Sequence, residues 1–351
     1  MSSDGRRSVK RAAVIGVAGA LGAAGAGYAA LRAGRALADR RHQPLTAADP
    51  ELLLPADVVG FEISTRDGGT LHLVERGSGP AIVLLHGATL AASVWSYQLH
   101  DLSARHRVIA LDLRGHGRSE PGSEGMTIAA MADDLADVLD ALELERATLV
   151  GHSMGGMAVL RFCRRHPDVL SKRVGAIAIV ASAGGISPPL AGWSRLAPFA
   201  AGLAVAGHRR LNPSARPIIP DIGAAERVAR LVFGVHPRPA QVREAVKLAR
   251  SMRADRFVSL APELVGFDER AAFFDLGVPC VIVVGDRDHM TPPAYARALS
   301  ATLPGSELVI WPGAGHMLMY ERRDALDWLL ERLSAQAEGD LGATGLVRDP
   351  E

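Results

Sequence analysis

The chain has only two cysteines in 351 residues, which excludes a disulfide framework and a cysteine-built metal centre. Both lie in apolar surroundings, Cys163 in a helical pattern and Cys280 in the run Val-Pro-Cys-Val-Ile-Val-Val-Gly, so both read as inert core thiols. No His, Asp or Glu grouping has metal-ligand spacing. Charge of one sign is not in excess either: 39 basic and 38 acidic residues give a formal net charge of +1, so nothing global points to a nucleic-acid partner. What the chain does have is 48% hydrophobic residues in alternating apolar strands and helical segments, enough to bury one large core.

Residues 1–45 form a different kind of sequence. Ala12 to Leu31 is a run of 20 residues without a charge, flanked by Arg6, Arg7, Lys10 and Arg11 before it and Arg32, Arg35, Arg40 and Arg41 after it. The length suffices for one membrane span, yet the content is mostly Ala and Gly, which insert far less favourably than Leu or Ile. An uncleaved single-pass anchor, an export signal and a soluble Ala/Gly-rich arm all fit the composition. The lack of a small-x-small cleavage site with a polar flank favours the anchor, and basic residues on both sides leave its orientation open.

The rest of the chain is organised around Ala147 to Gly156, ATLVGHSMGG. A β-branched run ends in Gly151-His152-Ser153-Met154-Gly155 and passes directly into a helical segment, which reads as strand, tight turn, helix. In such a turn the serine is strained, and the residues two before and two after it must be small for strand and helix to cross. Both are glycine. The turn lifts the Ser153 hydroxyl over the positive end of the helix, where the Met154 N–H faces a developing oxyanion.

Upstream, Val58 to Thr65 and Thr70 to Glu75 read as strands joined by the turn Arg66-Asp67-Gly68-Gly69. Ala81 to Leu85 is a continuous apolar run, as expected of a strand buried on both faces, and ends in His86-Gly87-Ala88. An acyl-transfer site needs a second oxyanion donor from a separate loop, and the Ala88 N–H is placed to supply it. Trp95 and Leu99, four apart, are expected on the core face of the next helix. Val108 to Leu113 is a further strand, followed by Arg-Gly-His-Gly-Arg-Ser, and Met126 to Leu142 carries an apolar stripe at helical spacing.

His-Gly after one strand, Asp-x-Arg-Gly-His-Gly-x-Ser over Asp112 to Ser119, and then Gly-His-Ser-Met-Gly-Gly resemble the α/β-hydrolase superfamily, in its capped branch. The resemblance covers about Val58 to Leu333. It implies an α/β fold, a mostly parallel central sheet flanked by helices with an inserted helical cap, and it makes the Asp112–Ser119 loop structural, leaving His116 without a catalytic role. The expected organisation is an arm over 1–45, core over 46–183, cap over 184–275, core again over 276–336 and a polar tail over 337–351. Within the cap, helical patterns run over Ala224 to Phe233 and Ala240 to Met252, and the composition is basic, with 12 Arg and one Lys against eight acids. Tyrosine is absent there, and an Asp does not stand in place of Ser153, which argues against the epoxide hydrolases of the same superfamily.

The core resumes at Val278 to Val284 and ends in Gly285-Asp286-Arg287-Asp288-His289-Met290-Thr291-Pro292. A carboxylate after this strand can orient a catalytic histidine. The family pattern Gly-x-x-Asp-x-x-x-Pro falls on Asp288, with Asp286 as its rival. Glu307 to Trp311 is the last strand, and the histidine of Gly313-Ala314-Gly315-His316 stands on the loop beyond it, ahead of a closing helix over Met317 to Leu333. The order Ser153, Asp288, His316 matches the order of the resembled fold. The expectation is a serine hydrolase acting on a carboxylic ester of a small molecule or lipid, with catalytic Ser153, Asp288 and His316, oxyanion donors Ala88 and Met154, and neither cofactor nor metal. Carbon–carbon bond hydrolases and cofactor-free haloperoxidases share these motifs, and a non-catalytic ligand-binding protein of the same fold is the alternative of another class.

Overall fold

The computed structural model describes residues 49–185, 226, 229–269 and 275–339. Eight strands form one sheet: β1 (Val59–Ser64), β2 (Thr70–Arg76), β3 (Ala81–Leu85), β4 (Arg107–Leu111), β5 (Ala147–His152), β6 (Val174–Val180), β7 (Cys280–Gly285) and β8 (Glu307–Trp311). Their order is β1-β2-β4-β3-β5-β6-β7-β8. The pairs β1/β2 and β2/β4 are antiparallel, and every later pair is parallel. The position of a strand explains its composition. β1, at the edge, alternates between exposed and half-buried residues, whereas all five residues of the inner strand β3, Ala-Ile-Val-Leu-Leu, are buried.

Helices cover both faces: α1 (Ser96–Asp101), α2 (Ile128–Ala141), α3 (Met154–Arg165), α4 (Pro167–Arg173), α5 (Pro239–Ser251), α6 (Ala254–Gly266), α7 (Pro293–Ser300), α8 (Leu318–Glu321) and α9 (Arg323–Ala337). Because strand side chains alternate, β3 feeds two separate cores. Val83 and Leu85 pack with Met131, Leu135, Leu160 and Leu299 from α2, α3 and α7. Ile82 and Leu84 pack with Leu99, Leu329, Leu330 and Leu333 from α1 and α9. Trp95 and Leu99 are fully buried as expected, although Trp95 closes a 3₁₀ turn (Ala92–Trp95) just ahead of α1. The α2 stripe begins where Thr127 caps the helix by accepting the Ala130 N–H at 3.0 Å.

The Asp112–Ser119 loop is a structural tie. One oxygen of the buried Asp112 accepts the Ala92 N–H at 2.7 Å, and the other faces His72 Nδ1 and the Arg118 N–H, each at 3.0 Å. Arg114, 2% exposed, bridges Asp134 and Asp67 and so fastens the β1–β2 turn to α2. His116 is buried against His86, with ring centroids 5.0 Å apart.

Two helical expectations change. The pattern over Ala224 to Phe233 ends in the 3₁₀ turn Arg230–Val232, after which Phe233 is extended so that the chain can lie along the loop before His316. The closing helix expected over Met317 to Leu333 is two helices, α8 and α9, separated at Arg322 with φ −132° and ψ 46°. In the span expected to be the cap, α5 and α6 are present, and Gly185 pairs with Asp268 in an isolated antiparallel bridge. Among the described residues no helix is long and apolar enough to cross a membrane. The candidate segment 12–31, the arm around it and the tail from 340 lie outside the described residues.

Candidate active site

Ser153 sits at the end of β5 with φ 52° and ψ −116°, a conformation that costs a non-glycine residue about 1–3 kcal/mol. Its surroundings enforce it. The Ser153 N–H donates to Val180 O at 2.9 Å, and its carbonyl accepts from Ser182 Oγ at 2.7 Å and from the Gly156 N–H at 3.0 Å. A side-chain carbon at Gly155 would come within 2.4 Å of Leu85 O, and one at Gly151 within 2.6 Å of Gly155 O, so the two flanking glycines have steric reasons. Ser153 is half-buried at the N-terminus of α3, whose first N–H, that of Met154, has no partner within the helix.

β3 lies beside β5 in the sheet, which brings His86-Gly87-Ala88 against the elbow. A side-chain carbon at Gly87 would approach Ser153 Cβ to 3.1 Å and His152 Nδ1 to 2.8 Å. His86 shapes this loop: one ring nitrogen bonds Gly87 O at 2.7 Å, and the other accepts the Leu113 N–H at 3.0 Å. Burial lowers its pKa to about 4, so the ring is neutral and its two bonds fix the tautomer. The Leu90 N–H closes the following turn onto Gly87 O at 3.2 Å, with Thr89 at φ 63°. That turn leaves the half-buried Ala88 N–H uninvolved.

Asp288 and His316 are brought together. Asp288 Oδ2 lies 2.8 Å from His316 Nδ1, and the carboxylate side chain is fully buried. Every acceptor direction on Asp288 is occupied: Oδ1 takes the Met290 and Thr291 N–H groups, each at 2.8 Å, and Oδ2 also takes the Thr291 hydroxyl at 2.8 Å. Burial pushes the Asp288 pKa up, but the charge and hydrogen bond of His316 and the two Thr291 donors outweigh it, leaving the acid below its ordinary value. Asp286, the rival acid, is turned away and accepts the Gly313 N–H at 2.7 Å. It therefore fixes the start of the histidine loop and does not touch the imidazole.

Ser153 Oγ makes no hydrogen bond to His316 among the described residues; the two are linked through the neighbouring His152. The His152 Nε2–H donates to His316 O at 2.9 Å, and the two rings lie 4.7 Å apart. Burial holds the His152 pKa far below its ordinary value, with the charge of His316 adding to the effect. Nucleophile–base contacts commonly tighten only when substrate is bound. Sequence reasoning missed two contributors here. In the sequence His152 is only a residue of the turn, and nothing marks Glu321, whose side chain bonds the backbone of the histidine loop. Only the short sequence distance from His316 to Glu321 could have hinted at the latter.

Comparison with known proteins agrees with this architecture. Residues 82–327 match the model of the alpha/beta hydrolase family. An uncharacterized protein of Mycobacterium tuberculosis is 30% identical over 258 residues, covering 70% of this chain and 72% of that protein. Among solved structures, an esterase from Exiguobacterium antarcticum superposes with a TM-score of 0.68 at 23% identity, over 79% of this chain and 99% of that one. A bromoperoxidase from Bacillus anthracis gives 0.67 at 21% identity, over 78% and 99%. With eight strands in this order, a strained serine at the end of β5 and an acid–histidine pair beyond β7 and β8, the chain belongs to the alpha/beta hydrolase family.

Proposed function

We propose that the protein is a serine hydrolase that cleaves a carboxylic ester of medium or long acyl chain, or a lipid, through an acyl-enzyme. The observation that carries this reading is the hydrogen bond of Asp288 to His316 Nδ1 at 2.8 Å, because it assigns the tautomer. With its proton on Nδ1, His316 offers a lone pair on Nε2 to a hydroxyl. Ser153 attacks the ester carbonyl and passes its proton to His316, which returns it to the departing alkoxide. Water then repeats the sequence on the acyl-enzyme and releases the acid. The Met154 and Ala88 N–H groups stabilise the two oxyanions, at roughly 3 kcal/mol for each donor. The test is Ser153→Ala, scored by fluorophosphonate labelling and by a chain-length series of p-nitrophenyl esters, with and without hydrogen peroxide. A folded variant should lose labelling and at least about a thousandfold in turnover. Undiminished turnover would remove the proposed nucleophile, and failure of the wild type to label would favour a non-catalytic binding protein. Peracid formation that exceeds hydrolysis would favour a perhydrolase.

We also propose that residues 12–31 hold the enzyme at a membrane, supported by their uncharged length and basic flanks and by the basic composition of 184–275.

A further inference from the structure

The histidine loop, Gly313 to Met317, is built mostly from small residues, so its position depends on the partners of its main chain. Five of its backbone groups are held by three other stretches of the chain. The Gly313 N–H donates to Asp286 Oδ1 at 2.7 Å, and Gly313 O accepts from the Val235 N–H at 3.0 Å. Ala314 O accepts from the Arg287 N–H at 2.9 Å. The His316 N–H donates to Val232 O at 2.7 Å, and His316 O accepts from His152 at 2.9 Å. The N–H groups on either side of the histidine, those of Gly315 and Met317, both go to one side chain, Glu321.

Glu321 Oε1 accepts from Met317 at 3.0 Å and from Gly315 at 3.1 Å, while Oε2 lies 3.0 Å from the Gly315 nitrogen and accepts from Gly234 at 2.6 Å. One partly buried carboxylate thus gathers three backbone donors, two from the histidine loop and one from the segment that packs on it. The packing leaves no slack, since a side-chain carbon at Gly234 would come within 2.1 Å of Gly313 O. Both carboxylate oxygens act as acceptors here, and the three backbone donors hold the charged form against burial, which raises the Glu321 pKa above its ordinary value. A glutamine would aim its own N–H groups at the donors around one of the two oxygens, and unpaired or opposed buried donors are costly.

We propose that Glu321 is a positioning residue for the general base: it fixes the reach of His316 and clamps the histidine loop to Phe233–Val235, so that loop and segment move as one body. This rests on the reading of His316 as the base. The clamp acts on placement of the imidazole and not on affinity for the ester, so its loss should appear in kcat. A misplacement on the order of 1 Å is enough to cost about a hundredfold.

The test compares wild type with Glu321→Gln and Glu321→Asp on p-nitrophenyl acetate, and follows the low-field NMR resonance of the His316 Nδ1–H. Folded Glu321→Gln should lose at least about tenfold in kcat, with KM changed less than about threefold, and its low-field resonance should shift or vanish. Glu321→Asp, which keeps the carboxylate, should recover part of both. A folded Glu321→Gln with kcat within about twofold of wild type and an unchanged resonance overturns the proposal. Should that variant fail to fold, amide exchange in the wild-type protein decides: the Gly234, Gly315 and Met317 amides should be protected together, and free exchange of all three overturns the clamp. Ser153→Ala separates the two readings. If Ser153→Ala is dead and Glu321→Gln is normal, only the clamp falls, whereas an active Ser153→Ala refutes the proposed chemistry and leaves the clamp to the NMR and exchange data.

Discussion

Replacing Asp288 by asparagine distinguishes a structural carboxylate from one that sets a tautomer. The wild-type carboxylate accepts four donors, two N–H groups on Oδ1 and the Thr291 hydroxyl with His316 Nδ1 on Oδ2. An asparagine can be placed in two ways. If its NH2 group replaces Oδ1, it opposes the Met290 and Thr291 N–H groups and strands two buried donors, at about 1–3 kcal/mol each. If its NH2 group replaces Oδ2, it meets Thr291 and His316. The threonine hydroxyl can rotate to accept, and the imidazole can accept once its own proton has moved from Nδ1 to Nε2. The second placement is cheaper by the cost of the stranded donors, and it leaves a hydrogen where Ser153 needs a lone pair. Asp288→Asn should therefore fold with a modest loss of stability and fall by about four decades in kcat, or about 5.4 kcal/mol of barrier. Asp286→Asn loses part of one bond, to the Gly313 N–H, and should cost less than about tenfold. The assay is steady-state hydrolysis of a p-nitrophenyl ester together with the rate of fluorophosphonate labelling, both on protein whose thermal unfolding has been measured. An Asp288→Asn enzyme within tenfold of wild type, or an Asp286→Asn enzyme more damaged than it, would refute the reasoning.

Two further outcomes follow from other parts of the molecule. Asp327, on the buried face of α9 and bonded by Gln98 Nε2 at 2.9 Å, has its pKa pushed up to about 8 by burial and then by neighbouring Asp101, against the opposing pull of Gln98 and Arg323. Its folded value is above the ordinary one, so the bound proton stabilises the fold fully below about pH 4, and that contribution is lost as pH rises towards 8. Asp327→Asn keeps an acceptor for Gln98 without needing the proton, so its Tm should fall less than that of wild type across this window in differential scanning fluorimetry; parallel curves would show that Asp327 does not hold the proton. Removing residues 1–42 should leave activity on short, water-soluble esters unchanged and reduce activity on esters embedded in anionic vesicles, where basic residues gain about 1 kcal/mol each near the surface. Equal activity of full-length and truncated protein on vesicles would leave residues 12–31 without the proposed anchoring role.

The sheet is legible in the sequence because it is written in local chemistry, whereas the pairing of Asp288 with His316 is legible only through the resembled motif. Buried parallel strands must be apolar throughout, as Ala81–Leu85 and Cys280–Gly285 are, and the Gly151/Gly155 pair marks a crossing that tolerates no side chain. The preference for Asp288 over Asp286 came from the resembled pattern alone, and its physical basis is visible only in three dimensions, where Thr291 and Met290 turn the loop around Asp288. What could not be read were partnerships between side chains and distant backbone. Glu321 looks like an ordinary charge at the start of a helix, and nothing local says that Gly234, 87 positions away, donates to it. The break at Arg322 was hidden for a related reason: the apolar spacing continues through it from Leu318 to Leu333, and periodicity is blind to a change of axis.

The exchange of β3 and β4 in the sheet order has a consequence for how such a molecule can diversify. Because the chain crosses over before returning to β5, the strand ending in His86-Gly87 and the strand ending in Ser153 are immediate neighbours, and the gap between them is one inter-strand spacing, about 4.8 Å. Backbone hydrogen bonding acts as a ruler that no surface substitution can stretch. The insertion between β6 and β7 starts and finishes at strand ends on the same sheet, yet its described residues also hold the histidine loop, through Val232 O to the His316 N–H and the Val235 N–H to Gly313 O. The ruler thus fixes the serine side of the site, while the histidine side leans on the insertion, and an exchange of residues 184–275 between relatives should keep turnover only where Val232, Gly234 and Val235 retain their bonds to the histidine loop and Glu321.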